Sequence, residues 1–120
     1  MPVLRLPLWV PGLRKPLLTG FVLDTGCDYD LVLSRAVRDQ IRSFRPPASW
    51  TSVFWGRDVL AERYAVSIRI GGVWKKADAV FPHAAELEDS LIGHPLLRDS
   101  TVCLRPLDGA IYLARPSARA

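Results

Sequence analysis

Three consecutive residues, Asp24, Thr25 and Gly26, have the clearest potential for chemistry, because they follow the apolar run of residues 21–23. An acid at the end of such a run is predicted to lie beside the core. Burial there is unfavourable unless hydrogen bonds or proton sharing compensate. Gly26 has no Cβ and lets another backbone come close. An acid held in this way suits acid–base chemistry on a bound water molecule.

The composition predicts one soluble domain over residues 1–120, with residues 116–120 as a frayed tail. The chain has 120 residues, of which 49% are hydrophobic and 23% are charged. This is enough for one domain with a core, but not for two. Ten prolines and eight glycines favour short strands and turns over long helices.

The charge and cysteine content argue against several classes of partner. The formal net charge is +4, and no run of Lys and Arg reaches the length of a nucleic-acid patch. No apolar stretch is long enough to cross a bilayer. The two cysteines, Cys27 and Cys103, make a weak case for a disulfide. We therefore expect a cytoplasmic protein with reduced cysteines and no nucleic-acid or membrane partner.

Hydrophobic periodicity predicts an all-β, closed domain with one or two short helices. The apolar and alternating segments that predict strands are residues 3–9, 17–24, 31–33, 50–55, 59–70, 73–81, 91–93, 102–104 and 111–113. Turn signals separate several of them, notably Gly71-Gly72 and Asp108-Gly109. Ser34 is a predicted N-cap for a helix over residues 35–42. Pro95 is predicted to begin a second helix that ends near Asp99.

Two short motifs resemble the signatures of one protease family. Asp24-Thr25-Gly26 within an apolar strand resembles the active-site motif of aspartic proteases. Leu91-Ile92-Gly93, followed by the helix-forming residues 94–97, resembles the second signature of the retropepsin-like family, the single-domain relatives of retroviral proteases. The order and separation of the motifs match that family. The resemblance covers residues 3–113 and implies a small closed acid-protease barrel.

The resemblance also implies a flap, which is a hairpin that closes over a bound peptide. Residues 50–55 and the strand after Asp58 predict a hairpin with its tip near Gly56. Trp55, Gly56 and Arg57 would then contact the substrate. An alternative is that the aromatic residues of this hairpin form a cross-strand cluster that stabilises it.

By the same resemblance, the activity would be peptide hydrolysis without a cofactor or metal. Aspartic proteolysis needs two carboxylates that share one proton, since two close like charges cannot both ionise. The chain has a single Asp-Thr-Gly, so a two-fold homodimer would supply the second Asp24. Thr25 would stiffen the pair across the axis, and Gly26 would offer backbone groups to the substrate. The strands near residues 3–6 and 111–113 are candidates for an intersubunit sheet.

The resemblance further implies binding roles for Asp28, which would contact the peptide backbone, and for Ile92, which would lie beside the motif. The sequence departs from the family at His94-Pro95, where retroviral members have Arg-Asn. His94 either replaces that Arg partly or is an exposed residue at a helix N-terminus. Cys27 takes the place of a small residue and is expected to be a buried hydrophobe. No ligand spacing around His83 and His94 predicts a metal site.

Two other functions stay open at this point. The altered His94-Pro95 pair and the bulky hairpin are compatible with an inactive protease-like domain that only binds or dimerises. The strand pattern is also compatible with a monomeric β domain in which Asp24-Thr25-Gly26 is a surface turn.

Overall fold

Nine strands and two short helices make up the fold in a computed structural model, which describes residues 3–24, 26–84, 86–97, 101–104 and 111–114. In chain order they are β1 (Leu4–Trp9), β2 (Leu17–Asp24), β3 (Leu31–Val32), α1 (Arg35–Arg42), β4 (Ser49–Phe54), β5 (Asp58–Ile70), β6 (Val73–Pro82), β7 (Ser90–Gly93), α2 (His94–Leu97), β8 (Thr101–Leu104) and β9 (Ile111–Ala114).

Six strands close into a barrel, because β1 pairs on both of its edges. The order is β1-β2-β7-β3-β6-β5, and β1 pairs again with β5 through Leu8 and Ile68. β4 lies outside the closed part and forms a hairpin with β5. β8 and β9 form a separate two-stranded sheet. The prediction of a closed all-β barrel with one or two short helices is confirmed.

The barrel core is filled by the apolar face of each strand. From Glu62 to Ile70 of β5, buried residues alternate with exposed or half-buried ones, as the period of two requires. The apolar residues of this buried face are Tyr64, Val66, Ile68 and Ile70. α1 covers one side of this core with Ile41, which is fully buried. The Ser34 side chain accepts a hydrogen bond from the Val37 amide, which confirms the predicted N-cap.

Most predicted segments agree with the strands within one or two residues. The turn between β5 and β6 has Gly71 and Gly72 with φ of 58° and 80°. Two consecutive positive φ values are what a type I′ hairpin turn requires, and glycine adopts them without a steric penalty. The predicted turn at Asp108-Gly109, the tail at residues 116–120 and the second helix beyond Leu97 lie outside the described residues. Within the described part, no helix is long and apolar enough to span a bilayer.

A buried carboxylate, Glu62, joins α1 to the sheet. Its side chain is only 1% exposed, and it accepts hydrogen bonds from Arg42 Nη1 at 2.8 Å and from the Tyr64 hydroxyl. His83 Nε2 lies 2.8 Å from its other oxygen. Burial raises the pKa of Glu62, but the hydrogen bonds from Tyr64, His83 and Arg42 outweigh burial, so the net pKa shift is downward. Glu62 is therefore a carboxylate at neutral pH.

Replacing Glu62 with Gln should lower the free energy of unfolding by about 2 kcal/mol at neutral pH, since Arg42 and Tyr64 lose a charged acceptor. A carboxyl group whose pKa is lowered by folding contributes stability above its unfolded value, here 4.5. That contribution disappears as the pH falls through the folded pKa. Urea unfolding of the wild type and of Glu62→Gln should therefore give a difference in the free energy of unfolding that shrinks as the pH falls below 4.5.

The exposed Glu88 offers a matched control, because Glu88→Gln makes the same chemical change on the surface. Glu88→Gln should change the free energy of unfolding by no more than about 0.5 kcal/mol. Equal unfolding midpoints for the wild type and Glu62→Gln at neutral pH would contradict the assigned role of Glu62.

Candidate active site

Asp24 is the last residue of β2, and its side chain is half-buried. Its Oδ1 accepts a hydrogen bond from the Gly26 amide at 3.1 Å, and its carbonyl accepts one from the Cys27 amide at 3.1 Å. These bonds turn the chain sharply and hold the carboxylate at the end of the strand. Thr25, the middle residue of the motif, lies outside the described residues, so its role stays a prediction.

The chain between β2 and β3 crosses over the end of β7, and Gly93 makes that crossing possible. β7 lies between β2 and β3, and Asp24 is opposite Gly93 in the parallel ladder. A Cβ at position 93 would lie 1.9 Å from the Tyr29 carbonyl oxygen and 2.8 Å from that of Cys27. Only glycine permits such an approach. The two sequence signatures are therefore joined physically.

Backbone hydrogen bonds fix this crossing. The Gly93 amide donates to the Asp30 carbonyl at 2.9 Å, and the His94 amide donates to the Cys27 carbonyl at 3.1 Å. The Asp30 side chain adds a third bond, because its Oδ2 accepts from the Asp78 amide on β6 at 2.9 Å. Asp30 thus ties the loop after Asp24 to two strands at once. No local sequence pattern predicts this role of Asp30, because its partners lie on β6 and β7.

Leu91, rather than Ile92, shares the face of the sheet on which Asp24 lies. Neighbouring residues of a ladder point to the same side, and the register matches Val22 with Leu91, Leu23 with Ile92 and Asp24 with Gly93. Ile92 is fully buried in the main core. Its burial leaves no exposed surface for a substrate contact, so the structure does not support the predicted role of Ile92. Once the pairing of Asp24 with Gly93 is known, counting alternate residues back from Gly93 selects Leu91.

The hairpin of β4 and β5 has the predicted tip. Trp55, Gly56 and Arg57 connect the two strands, and Gly56 has a φ of +72°. The Trp55 amide donates to the Arg57 carbonyl at 2.8 Å, which closes the loop. Gly56 and Arg57 are exposed, whereas Trp55 is half-buried.

The aromatic residues of the hairpin do not form one cross-strand cluster. Phe54 is 70% exposed, and the Trp50 ring packs edge-on against His83 at 5.2 Å. Trp55 instead packs against two apolar clusters. One contains Val53, Val59 and Ala61, and the other contains Cys27, Val32 and Val80, with Tyr29 contacting both. The tip residue therefore contacts the cluster that includes the loop after Asp24.

Cys27 and His94 resolve two expectations about the motif's neighbours. Cys27 is 8% exposed, and burial raises the pKa of its thiol. It is a buried, protonated thiol and not a nucleophile. The His94 side chain is exposed at the start of α2 and forms no hydrogen bond or ion pair with any described residue. Within the described residues it forms no ion pair with Asp28, the acid beside the motif, so His94 does not replace the missing Arg there.

The other predicted site residue, Asp28, is exposed two residues after Gly26. Its side chain has no hydrogen-bonding or ion-pair partner in the described part of the chain, which leaves it available to a ligand. The described residues also contain no group of three or more His, Cys, Asp or Glu side chains that could hold a metal ion.

Comparison with solved structures identifies the fold. The EIAV protease complexed with the inhibitor HBY-793 matches with a TM-score of 0.53 and 19% identity, over 82% of this chain and 86% of that one. A retropepsin-like aspartic protease from Rickettsia conorii matches with a TM-score of 0.55 and 18% identity, over 96% and 85% of the two chains.

The chain has the retropepsin-like fold. No protein-family model and no curated protein sequence matches it. Within the retropepsin-like fold, the crossing of the Asp24 loop over Gly93 accounts for the pairing of the two sequence motifs. Among the C-terminal ends of the six barrel strands, all of which lie in the described residues, only that of β2 is acidic.

Proposed function

We propose that this protein is an aspartic endopeptidase that is active as a homodimer. The observation that carries the proposal is the position of Asp24 in a retropepsin-like fold. It is half-buried at a strand end, and its Oδ1 is held by the Gly26 amide. A carboxylate held in this way can take a proton from a water molecule, while a protonated partner donates to the scissile carbonyl oxygen.

The second carboxylate would come from Asp24 of a second copy. One chain supplies one Asp-Thr-Gly, and a two-fold axis beside Asp24 would bring two such acids together. The pair would share one proton and titrate as a unit. Within the described residues, β8 and β9 pair only with each other. Their outer edges, together with residues 3–6, are candidates for an intersubunit sheet.

The peptide substrate would lie between Asp24 and the hairpin tip. Gly26 and the exposed Asp28 would bind its backbone, and Trp55, Gly56 and Arg57 would cover it as a flap. Leu91 would contribute an apolar wall, since it shares the face of Asp24 and packs against the cluster that Trp55 contacts. The substrate side chains nearest this wall would therefore be apolar.

The alternative is an inactive protease-like domain that binds or dimerises. The packing of Trp55 against the Cys27 and Val80 cluster favours it, because a tip held against its own chain would block the cleft. The absence of an ion pair between His94 and Asp28, within the described residues, points the same way. An active enzyme would have to release Trp55 from this cluster when substrate enters.

Incubation with a mixed peptide library at acidic and neutral pH, with and without an aspartic-protease inhibitor, should reveal cleavage that the inhibitor abolishes. Sedimentation of the same sample should give the mass of a dimer. A dimeric sample without inhibitor-sensitive cleavage at any pH would favour the binding domain. A monomer at micromolar concentration without cleavage would favour a β domain with a surface turn.

A further inference from the structure

Three arginines on α1 line an open pocket outside the candidate active site. Arg35, Arg38 and Arg42 are spaced three and four residues apart, which puts them on one face of the helix. The pocket has a volume of about 360 Å³. Its lining consists of Arg35, Arg38, Arg42, Trp50, Glu62, Phe81 and His83.

The lining carries more positive than negative charge. Glu62 is its one carboxylate, and it lies 2.8 Å from Arg42 Nη1 and 3.6 Å from Arg38 Nη1. Arg35 has no ion pair with any described residue, and its guanidinium lies 5.5 Å from the centre of the Phe81 ring. Three guanidinium groups therefore face one carboxylate, a surplus of two positive charges.

A carboxylate next to the pocket offsets part of this surplus. Asp39 Oδ1 lies 3.1 Å from Arg38 Nε, but Asp39 is 60% exposed and does not line the pocket. The Arg38 Nε is buried, and no acceptor among the described residues, Asp39 included, is aligned with its N–H to form a hydrogen bond. The Arg38 guanidinium lies 4.4 Å above the Phe81 ring, which holds it in place. The cationic surface is thus held in position before any ligand arrives.

We propose that this pocket binds a phosphate monoester that carries an aromatic group. Guanidinium groups match the geometry of phosphate oxygens and bind them in pairs. A phosphate monoester carries a charge of about −1.5 to −2 at neutral pH and three acceptor oxygens, so it can pair with more guanidinium groups than one carboxylate can.

The organic part of the ligand would lie against Trp50. This side chain is 47% exposed and forms a wall of the pocket, with its ring held edge-on by His83. A flat aromatic group can stack on such a ring. The volume also falls in the range of small-molecule sites, roughly 300–1,000 Å³. None of these residues belongs to the proposed protease site, so this proposal stands or falls independently of peptide hydrolysis.

Titration calorimetry with phenyl phosphate, inorganic phosphate and benzoate tests the proposal. Phenyl phosphate should bind saturably, and more tightly than either of the other two. Replacing Arg35 with Gln should weaken phenyl phosphate binding about tenfold, the loss expected for one charge-assisted hydrogen bond. The fold should be kept, since Arg35 has no ion pair to lose. In an NMR titration with phenyl phosphate, the chemical shifts of the α1 amides and of the Trp50 indole should change.

The matched control is Arg69→Gln, which removes the same charge from an exposed position. Arg69 lies on the same strand as Glu62, about 23 Å away along it. The Arg69→Gln variant should bind phenyl phosphate as tightly as the wild type does. The proposal is overturned if phenyl phosphate gives no saturable binding, or if both substitutions weaken binding equally. NMR chemical-shift changes confined to residues outside α1 and Trp50 would also overturn the proposal.

Discussion

Replacing Asp24 with Asn should reduce peptide cleavage by about a thousandfold or more, because the water loses its general base. Asn has nearly the same shape, and its side-chain oxygen can still accept the hydrogen bond from the Gly26 amide. The fold and the dimer should therefore be kept. Cleavage rates of purified wild type and Asp24→Asn, measured on one peptide, test this prediction.

Asp39→Asn provides the control, since it removes the same charge from an exposed position on α1. Its cleavage rate should match that of the wild type. A mixture of wild type with a large excess of Asp24→Asn adds a sharper test. In this mixture most wild-type chains pair with a variant chain. If both Asp24 side chains are needed for catalysis, the activity per wild-type chain falls. Undiminished activity per wild-type chain would refute the shared site, and full activity of Asp24→Asn alone would refute its role.

Replacing Gly93 with Ala should destabilise the protein by more than about 3 kcal/mol. The new Cβ would lie 1.9 Å from the Tyr29 carbonyl oxygen. Backbone atoms cannot rotate out of the way as a flexible side chain can, so the loop after Asp24 would have to move. Because a domain is stable by only about 5–15 kcal/mol, such a loss is a large part of the total. Urea unfolding monitored by tryptophan fluorescence measures it.

Gly26→Ala is the natural comparison, since it adds the same methyl group within the other motif. Among the described residues, a Cβ there would meet Asp24 Oδ1 at 3.5 Å, an ordinary contact. Its effect on the free energy of unfolding should stay within about 1 kcal/mol. Equal unfolding midpoints for Gly93→Ala and the wild type would contradict the close crossing of the chain over β7.

Local patterns were sufficient to predict the elements of the barrel. β2 and α1 begin and end where their apolar runs and the Ser34 cap predicted. The alternation of apolar residues from Tyr64 to Ile70 of β5 matches the side chains that are buried there. These features depend on residues close in sequence, whose spacing directly reflects the period of a strand or helix. The positions of the two motifs were also evident, because each consists of consecutive residues.

The pairing of strands decided features that no local pattern predicted. The parallel register of β2 with β7 puts Leu91 on the face of Asp24 and Ile92 in the core. The same assembly brings Glu62 of β5 against Arg42 of α1, 20 residues apart in sequence. A charged residue in an alternating strand gives no sign that it will be buried, because its partners come from another element.

The class of fold, the acid at the end of β2 and the glycine after Ile92 could all be read from the amino-acid sequence. This was possible because turn chemistry, strand alternation and close backbone approach each depend on the type of a single residue. The packing of distant segments set which side chain shares the face of Asp24, where Trp55 packs, and that three arginines line one pocket with a buried carboxylate. Those outcomes depend on contacts between distant strands and α1, whose register is set by the packing of the whole barrel.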